Sequence, residues 1–350
     1  MTTAIVLVGL GLGVWAIRGR LATVPAQNRL AIRRAPGADR RYETRFPAMG
    51  TDVRLVVRAE SAEAARPILE AATGPISAVE ARMSTYRPDS DVSRLNRMGG
   101  TRGVQLSPET MTVIRRAVEF SRMTGGAFDI TYAPLRTLWR DAAESRQVPD
   151  QERVREALQV VGWEKLLLAD SSVRFQRSGM EVDLGGIAKG YAIDGAAEAM
   201  KESGALSGLV DIGGDVRLFG RAPAGGRWHV AVRSPGPGAS AIILRVPSSA
   251  VTTSGDYARG FRIGDAWFSH IVDPRTGRPT ERMASVTVVA PDAMTGDALS
   301  TALSVLGPEE GLKLVESLSE VECMFVVREG EQEFSRRLSS GFSQFLAESR

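Results

Sequence analysis

Apolar and polar residues alternate with period two along Thr51–Val57, which predicts a half-buried strand. From Ala62 to Arg82 the spacing becomes that of an amphipathic helix. Pro67 lies near its start, and Gly74 and Pro75 mark a point where it can split. Ser107 followed by Pro108 predicts a capped helix start, and the pattern runs on to Met123. Asp150 caps a further helix to Val161. Val173–Gln176 and Glu181–Asp183 read as a hairpin about Arg177–Gly179. A helix over Ile187–Ser203 stops at Gly204, a residue that closes helices well. Leu209–Ile212, Val216–Phe219, Trp228–Val232 and Ile242–Val246 read as strands separated by Gly and Pro turns. Ser285–Ala290 is a strand, Thr295–Leu306 and Pro308–Ser317 are helices, and Met324–Arg328 is a last strand. No regular βαβ repeat emerges. The predicted class is α+β, with mixed or antiparallel sheets and flanking helices.

Composition narrows the picture only in places. A chain of 350 residues can bury a large core in one or two domains. Hydrophobic content of 43% and charged content of 24% are ordinary for a globular protein. A net charge of +3 is too small to argue for nucleic acid. The single cysteine, Cys323, sits in an apolar run and reads as a packed strand residue, so no intrachain disulfide is possible. Four of the 44 basic residues are lysines, which makes Lys189 stand out.

The N-terminus differs in kind. Ala4–Ile17 is uncharged and apolar, then Arg18 and Arg20 follow. The run is shorter than the roughly 20 residues of a membrane span, and it suits the apolar part of a signal sequence. Val24–Ala26 offers small residues for cleavage. Against export, no basic residue precedes the run, and the arginines after it favour retention. We read 1–41 as signal or anchor plus linker, 42–330 as the working domain, and 331–350 as a polar, loosely held tail.

Several strings concentrate residues that chemistry uses. Val182–Asp194 (VDLGGIAKGYAID) brings Asp183, Gly185, Gly186, Lys189 and Gly190 together at a predicted helix start. Glycines let the backbone approach a ligand, and a helix N-terminus suits phosphate. A tight strand-to-helix turn needs the same glycines. The spacing is not that of a dinucleotide-binding G-x-G-x-x-G. In Gly296–Thr301 (GDALST), Asp297, Ser300 and Thr301 fall at i, i+3 and i+4, so one helix face presents three oxygens. A helix cap with a small-residue face would look alike. His270–Gly277 (HIVDPRTG) holds one of two histidines where a strand runs into turn formers. The other, His229, lies mid-strand beside Trp228 and reads as structural. Thr253–Tyr257 (TSGDY) supplies Asp256.

With Ala48–Thr51 (AMGT), Met83–Asn96 (MSTYRPDSDVSRLN), Gly125–Ile130 (GGAFDI) and Asp211–Asp215 (DIGGD), eight strings run in order from about Phe46 to about Glu316. Together they resemble the ApbE family, the FAD:protein FMN transferases. The resemblance implies a two-part α+β fold with FAD between the parts. It implies Mg²⁺-dependent transfer of FMN from FAD, the substrate, to a threonine hydroxyl of an acceptor protein, with release of AMP. His270 is then the candidate base, with Asp256 as second choice or orienting partner; a positioned base is worth about 10²–10⁴-fold. FAD contacts fall on Met49, Tyr86, Ala127, Phe128, Asp129, Asp183, Lys189 and Ile271. In physical terms, Tyr86 suits ring stacking, Lys189 a phosphate, and Asp183 a hydrogen bond from ribose or adenine. The metal site falls on Asp297 and Thr301, a backbone carbonyl near Gly186, and Ser300, where some relatives carry aspartate. Acceptors in the family are typically subunits of membrane redox complexes. The implied location is the periplasmic side of the inner membrane, exported or anchored through residues 4–17. No cysteine lies near that segment, so a lipoprotein is not expected. Two other readings are Mg²⁺-dependent hydrolysis of FAD to FMN and AMP, and non-enzymatic flavin binding or delivery. His270, Asp256 and Asp297 argue against the last, because a binder needs neither base nor metal.

Overall fold

Short apolar runs with turn residues between them pair into one antiparallel sheet of nine strands. In spatial order these are Phe334–Leu338, Glu322–Arg328, Met283–Ala290, Ala250–Gly255, Asp215–Gly220, Ser207–Ile212, Thr51–Arg58, Arg41–Ala48 and Arg33–Arg34. The computed structural model describes residues 5–8, 30–36, 40–222, 226–236, 238–255, 260–264, 266–281, 283–330 and 333–347. The interior strand Met283–Ala290 is buried at every position, so both sheet faces are covered there.

Among the described residues, eight α-helices follow one another: α1 (Ala62–Ala71), α2 (Thr73–Met83), α3 (Asp91–Met98), α4 (Pro108–Met123), α5 (Ala133–Ser145), α6 (Gln151–Gln159), α7 (Ala188–Glu202) and α8 (Ala293–Glu316). The main core includes Leu55, Leu69, Ile76, Ile114, Ile193, Leu299 and Phe325. Each such side chain contributes about 1.5–3 kcal/mol by leaving water. The predicted long helix does divide, at Ala72. The two predicted C-terminal helices form one span with a break at Gly307, whose φ of 72° precedes Pro308. On the other sheet face the pair Trp228–Val232 and Ile242–Val246 closes a second core with Phe342 and Phe345. A third, smaller core joins α5 and its neighbours to Ile263 and Val272.

Three expectations need correction. Val173–Asp183 is not a hairpin. Ser172–Phe175 pairs with Leu166–Leu168 and with Val104–Gln105. Residue 182 is instead held by a side chain: Asn96 donates to Val182 O (2.9 Å) and accepts from Val182 N (2.8 Å). Nor are residues 333–347 a loose tail, since Phe334–Leu338 adds a strand to the sheet and Phe342 is fully buried. The aromatic residues, not the charged ones around them, decide its fate. The end of the expected linker is also structural: Arg33–Arg34 pairs with Tyr42–Glu43, flanked by buried Leu30 and Ala35. Of the apolar N-terminal run only Ile5–Val8 is described, as a strand parallel to Trp228–Val232; residues 4 and 9–17 lie outside the described residues. Among the described residues no helix is long and apolar enough to cross a membrane.

Candidate functional site

Two helices and two strand ends meet at one buried cluster of charge. α7 begins at Ala188, directly after Gly185 and Gly186. Its Gly190 touches the first turn of α8: a β-carbon there would run into the Ala293 carbonyl and stand 2.6 Å from Met294 Cα. Asp292 caps α8 by accepting from Thr295 N (2.7 Å). Asp194 of α7 accepts from Ala293 N (2.9 Å) and Met294 N (2.8 Å), and burial pushes its carboxyl up to about 6. The helices are therefore pinned to each other by hydrogen bonds as well as by contact.

One turn into α8 stands Asp297, 4% exposed. One carboxylate oxygen accepts from Gly190 N (2.9 Å), and the other pairs with Lys189 Nζ (3.2 Å). Lys189 also pairs with Asp215, 3% exposed, at the start of its strand. Asp215 accepts from Thr253 N (2.8 Å), which ties in the TSGDY string. Two buried carboxylates thus face one ammonium, and the cluster keeps a negative surplus. Nearby, Asp211 accepts from Gly214 N (2.9 Å). Burial pushes its carboxyl up to about 6, against the pull of Arg54, Arg45 and Lys189.

Oxygen donors surround this charge. Ser300 Oγ donates to Asp297 O (3.0 Å) and bonds Ser254 Oγ (2.9 Å). Half-buried Thr301 places its hydroxyl against the backbone of Gly186. A β-carbon on Gly186 would lie 3.3 Å from Thr301 Oγ1 and 3.2 Å from the Phe128 ring. The sequence-predicted Gly186, Lys189, Asp297, Ser300 and Thr301 therefore do converge. Lys189, expected opposite phosphate, is engaged by two aspartates here.

Around this centre the other predicted residues divide. Asp183 is buried, accepts from Gly185 N (2.7 Å) and pairs with Arg136 (2.9 Å). Tyr86 is 77% exposed, open to a ring. Met49 has a left-handed φ of 53° and donates its N–H to Glu80 (3.0 Å), whose carboxyl burial pushes upward. Ala127 and Phe128 are interior, with Phe128 set edge-on to Phe120 at 6.3 Å. Asp129 accepts inside the fold from Thr131 N (2.8 Å), Thr131 Oγ1 (2.7 Å) and Trp163 N (2.8 Å). Burial raises its carboxyl, and these donors brace it.

His270 is half-buried at the entry to a tightly tied turn. Ile271 donates to Ser269 Oγ (3.1 Å) and accepts from Thr280 N (2.9 Å). Trp139 of α5 donates to Gly277 O (2.7 Å) and so fixes the turn's far end. Asp256 lies outside the described residues.

Sequence reasoning missed Asp215 as a partner of Lys189, although the DIGGD string ends on it. It also missed Arg136, for which no local signal existed. The Arg136 Nε is buried and makes no hydrogen bond, a state that costs about 1–3 kcal/mol.

The ApbE family profile matches residues 49–325. A FAD:protein FMN transferase of Vibrio cholerae is 34% identical over 274 residues, covering 77% of this chain and 81% of the relative. The solved ApbE protein of Thermotoga maritima superposes with a TM-score of 0.80 at 34% identity, covering 88% of this chain and 100% of that one. Flavin transferase ApbE from Vibrio cholerae gives 0.75 at 31% identity, covering 87% and 99%. Matched along most of its length in both sequence and fold, the chain belongs to the ApbE family.

Proposed function

We propose that this ApbE-family enzyme transfers FMN from FAD to a threonine hydroxyl of an acceptor protein and releases AMP. The relatives named FAD:protein FMN transferase support the reaction class. The observation that carries it to this chain is the buried, oxygen-lined notch formed by Asp297, Thr301 and the Gly186 backbone beside Lys189.

The donor set fits Mg²⁺. Among the described residues no three acidic, histidine or cysteine side chains converge as a self-sufficient metal cage. Mg²⁺ commonly takes one or two carboxylates and draws its remaining oxygens from substrate phosphates and water. Asp297 and Thr301 would hold it, with the Gly186 carbonyl and Ser300 completing the protein side. When bound, the ion neutralises charge on the pyrophosphate. Lys189 supplies a second positive group to the same anion. His270 takes the proton from the acceptor hydroxyl as its oxygen attacks the FMN-side phosphorus. The bridging P–O bond breaks, and AMP leaves with those electrons. Asp256 follows His270 as alternative base or orienting partner. The acceptor is a subunit of a membrane redox complex, met on the periplasmic side, with residues 4–17 as signal or anchor.

The test is incubation with FAD, Mg²⁺ and a candidate acceptor, followed by mass spectrometry of the acceptor and assay of AMP. A mass gain of one FMN less water, lost on EDTA treatment and on replacing the acceptor threonine, is expected. AMP and free FMN without acceptor gain would make the protein a hydrolase instead.

A further inference from the structure

Just before His270 the chain forms a hairpin, Phe261–Ile263 paired with Ala266–Phe268, whose two faces differ in kind. The inner face is aromatic. Phe268 lies against Trp139 of α5, with ring centroids 5.4 Å apart, and stacks on Phe261 at 5.9 Å, beside buried Ile263. Alternation along the strands leaves Arg262 and Trp267 on the outer face, where they are direct cross-strand partners. Arg262 is exposed, and among the described residues its guanidinium has no ion pair. Trp267 is 46% exposed. Its indole is seated on Gly260, where a β-carbon would stand 2.1 Å from the ring. The hairpin is anchored by its other face, so the fold gains nothing from the half of this indole that it leaves in water. The hairpin is also fixed relative to His270. Three residues along the chain keep the Cα atoms of Trp267 and His270 within about 11 Å of each other. Trp139 holds both pieces, by its ring against Phe268 and by Nε1 on Gly277 O (2.7 Å), at the far end of the turn that His270 opens.

The transfer reaction supplies an occupant. A threonine hydroxyl brought to His270 carries its polypeptide with it, and that polypeptide must lie on the surface beside His270. We propose that the outer face of this hairpin, Trp267 beside Arg262, docks the acceptor segment that flanks the target threonine, taking an apolar side chain on the indole and a carboxylate on the guanidinium. The inference rests on the transferase reading above and makes Trp267 and Arg262 specificity residues for the acceptor. Tryptophan and arginine are the side chains that most often anchor interfaces, and an unpaired guanidinium selects a carboxylate by charge and geometry. An extended chain rises about 3.3 Å per residue, so the contacted positions lie about three to five residues from the threonine. A second copy of this chain fits the face less well, because a two-fold pairing through it would set Arg262 near its own counterpart.

The probe is the acceptor protein that gains FMN in the assay above. KM and kcat for that acceptor are measured at saturating FAD on wild type, W267A, W267F and R262E, with FAD affinity by fluorescence and melting temperature alongside. Truncating an anchoring tryptophan is worth on the order of 10- to 30-fold in affinity. We expect W267A to raise the acceptor KM by that factor, with kcat, FAD affinity and melting temperature unchanged. W267F should recover most of the loss, because it restores a ring on Gly260. R262E should raise KM and reverse its response to salt, since added salt weakens attraction in wild type and repulsion in the variant. A KM for W267A within twofold of wild type overturns the inference and leaves the transferase reading standing. Weaker FAD binding or a lower melting temperature in both W267A and W267F also overturns it, since the ring would then serve the fold. A wild-type dimer, or wild-type binding to phosphatidylglycerol vesicles, that W267A abolishes at unchanged KM assigns the face to a second copy or to lipid, and overturns it as well. Wild type that adds FMN to no acceptor ends the transferase reading, and this inference with it.

Discussion

Replacing Lys189 with methionine tests the charge cluster directly. The variant keeps the length of the side chain and removes the ammonium between Asp215 and Asp297, which are 3% and 4% exposed. Removing one partner of a buried ion pair costs about 3–5 kcal/mol, because the charge left behind is uncompensated. The Lys189 side chain is 26% exposed, so solvent screening argues for the low end, about 3 kcal/mol. At roughly 2.1 cal/mol/K per residue, a chain of 350 residues loses about 4 °C of melting temperature for that penalty. Denaturant melts at pH 7.5 supply the assay. Equal stability of wild type and K189M would refute the reasoning. Lys189 would then be a surface lysine that happens to lean inward.

Three further outcomes follow from particular residues. H270A should bind FAD with little change and lose about 10²–10⁴-fold in transfer rate, because a base acts on the acceptor proton at the transition state; fluorescence titration set against FMN incorporation separates the two effects. D211N keeps an acceptor for Gly214 N and removes a carboxyl that burial has pushed up to about 6. A raised folded-state pKa stabilises below the unfolded value of about 3.9 and is lost as pH rises through about 6, so D211N should gain up to about 2.5 kcal/mol on wild type between pH 4 and 7.5 by denaturant melts. F342A should destabilise by about 3–5 kcal/mol, since its ring is fully buried, whereas a loose tail would show less than about 0.5 kcal/mol in the same assay.

What the sequence made legible was local. Ser107 and Asp150 accept from the helix N–H groups that their positions promised, and Gly204 closes α7 with a φ of 93°. The three-oxygen face of α8 follows from helical spacing alone, and of its oxygens Thr301 Oγ1 lies beside Gly186. Long-range pairings were not legible. Asn96 replaces a strand partner for Val182 across 86 residues, and nothing near either residue announces it. Arg136 pairs with Asp183 through a helix that carried no distinctive motif. The tail was misread because its charge was weighed above Phe342 and Phe345, which find their cover only once the sheet exists. The bonds that brace Asp129, from its own turn and from Trp163, were likewise not legible.

The contact at Gly190 has a consequence beyond helix packing. A single absent carbon sets the gap between α7 and α8, and Lys189 and Asp297 stand on either side of it. Substituting alanine would force the helices apart, and the ammonium and carboxylate would separate with them. A change that looks like a volume error in helix packing would thus register as an electrical one in the buried charge cluster. The spacing of these charges is thus locked to the gauge of the core.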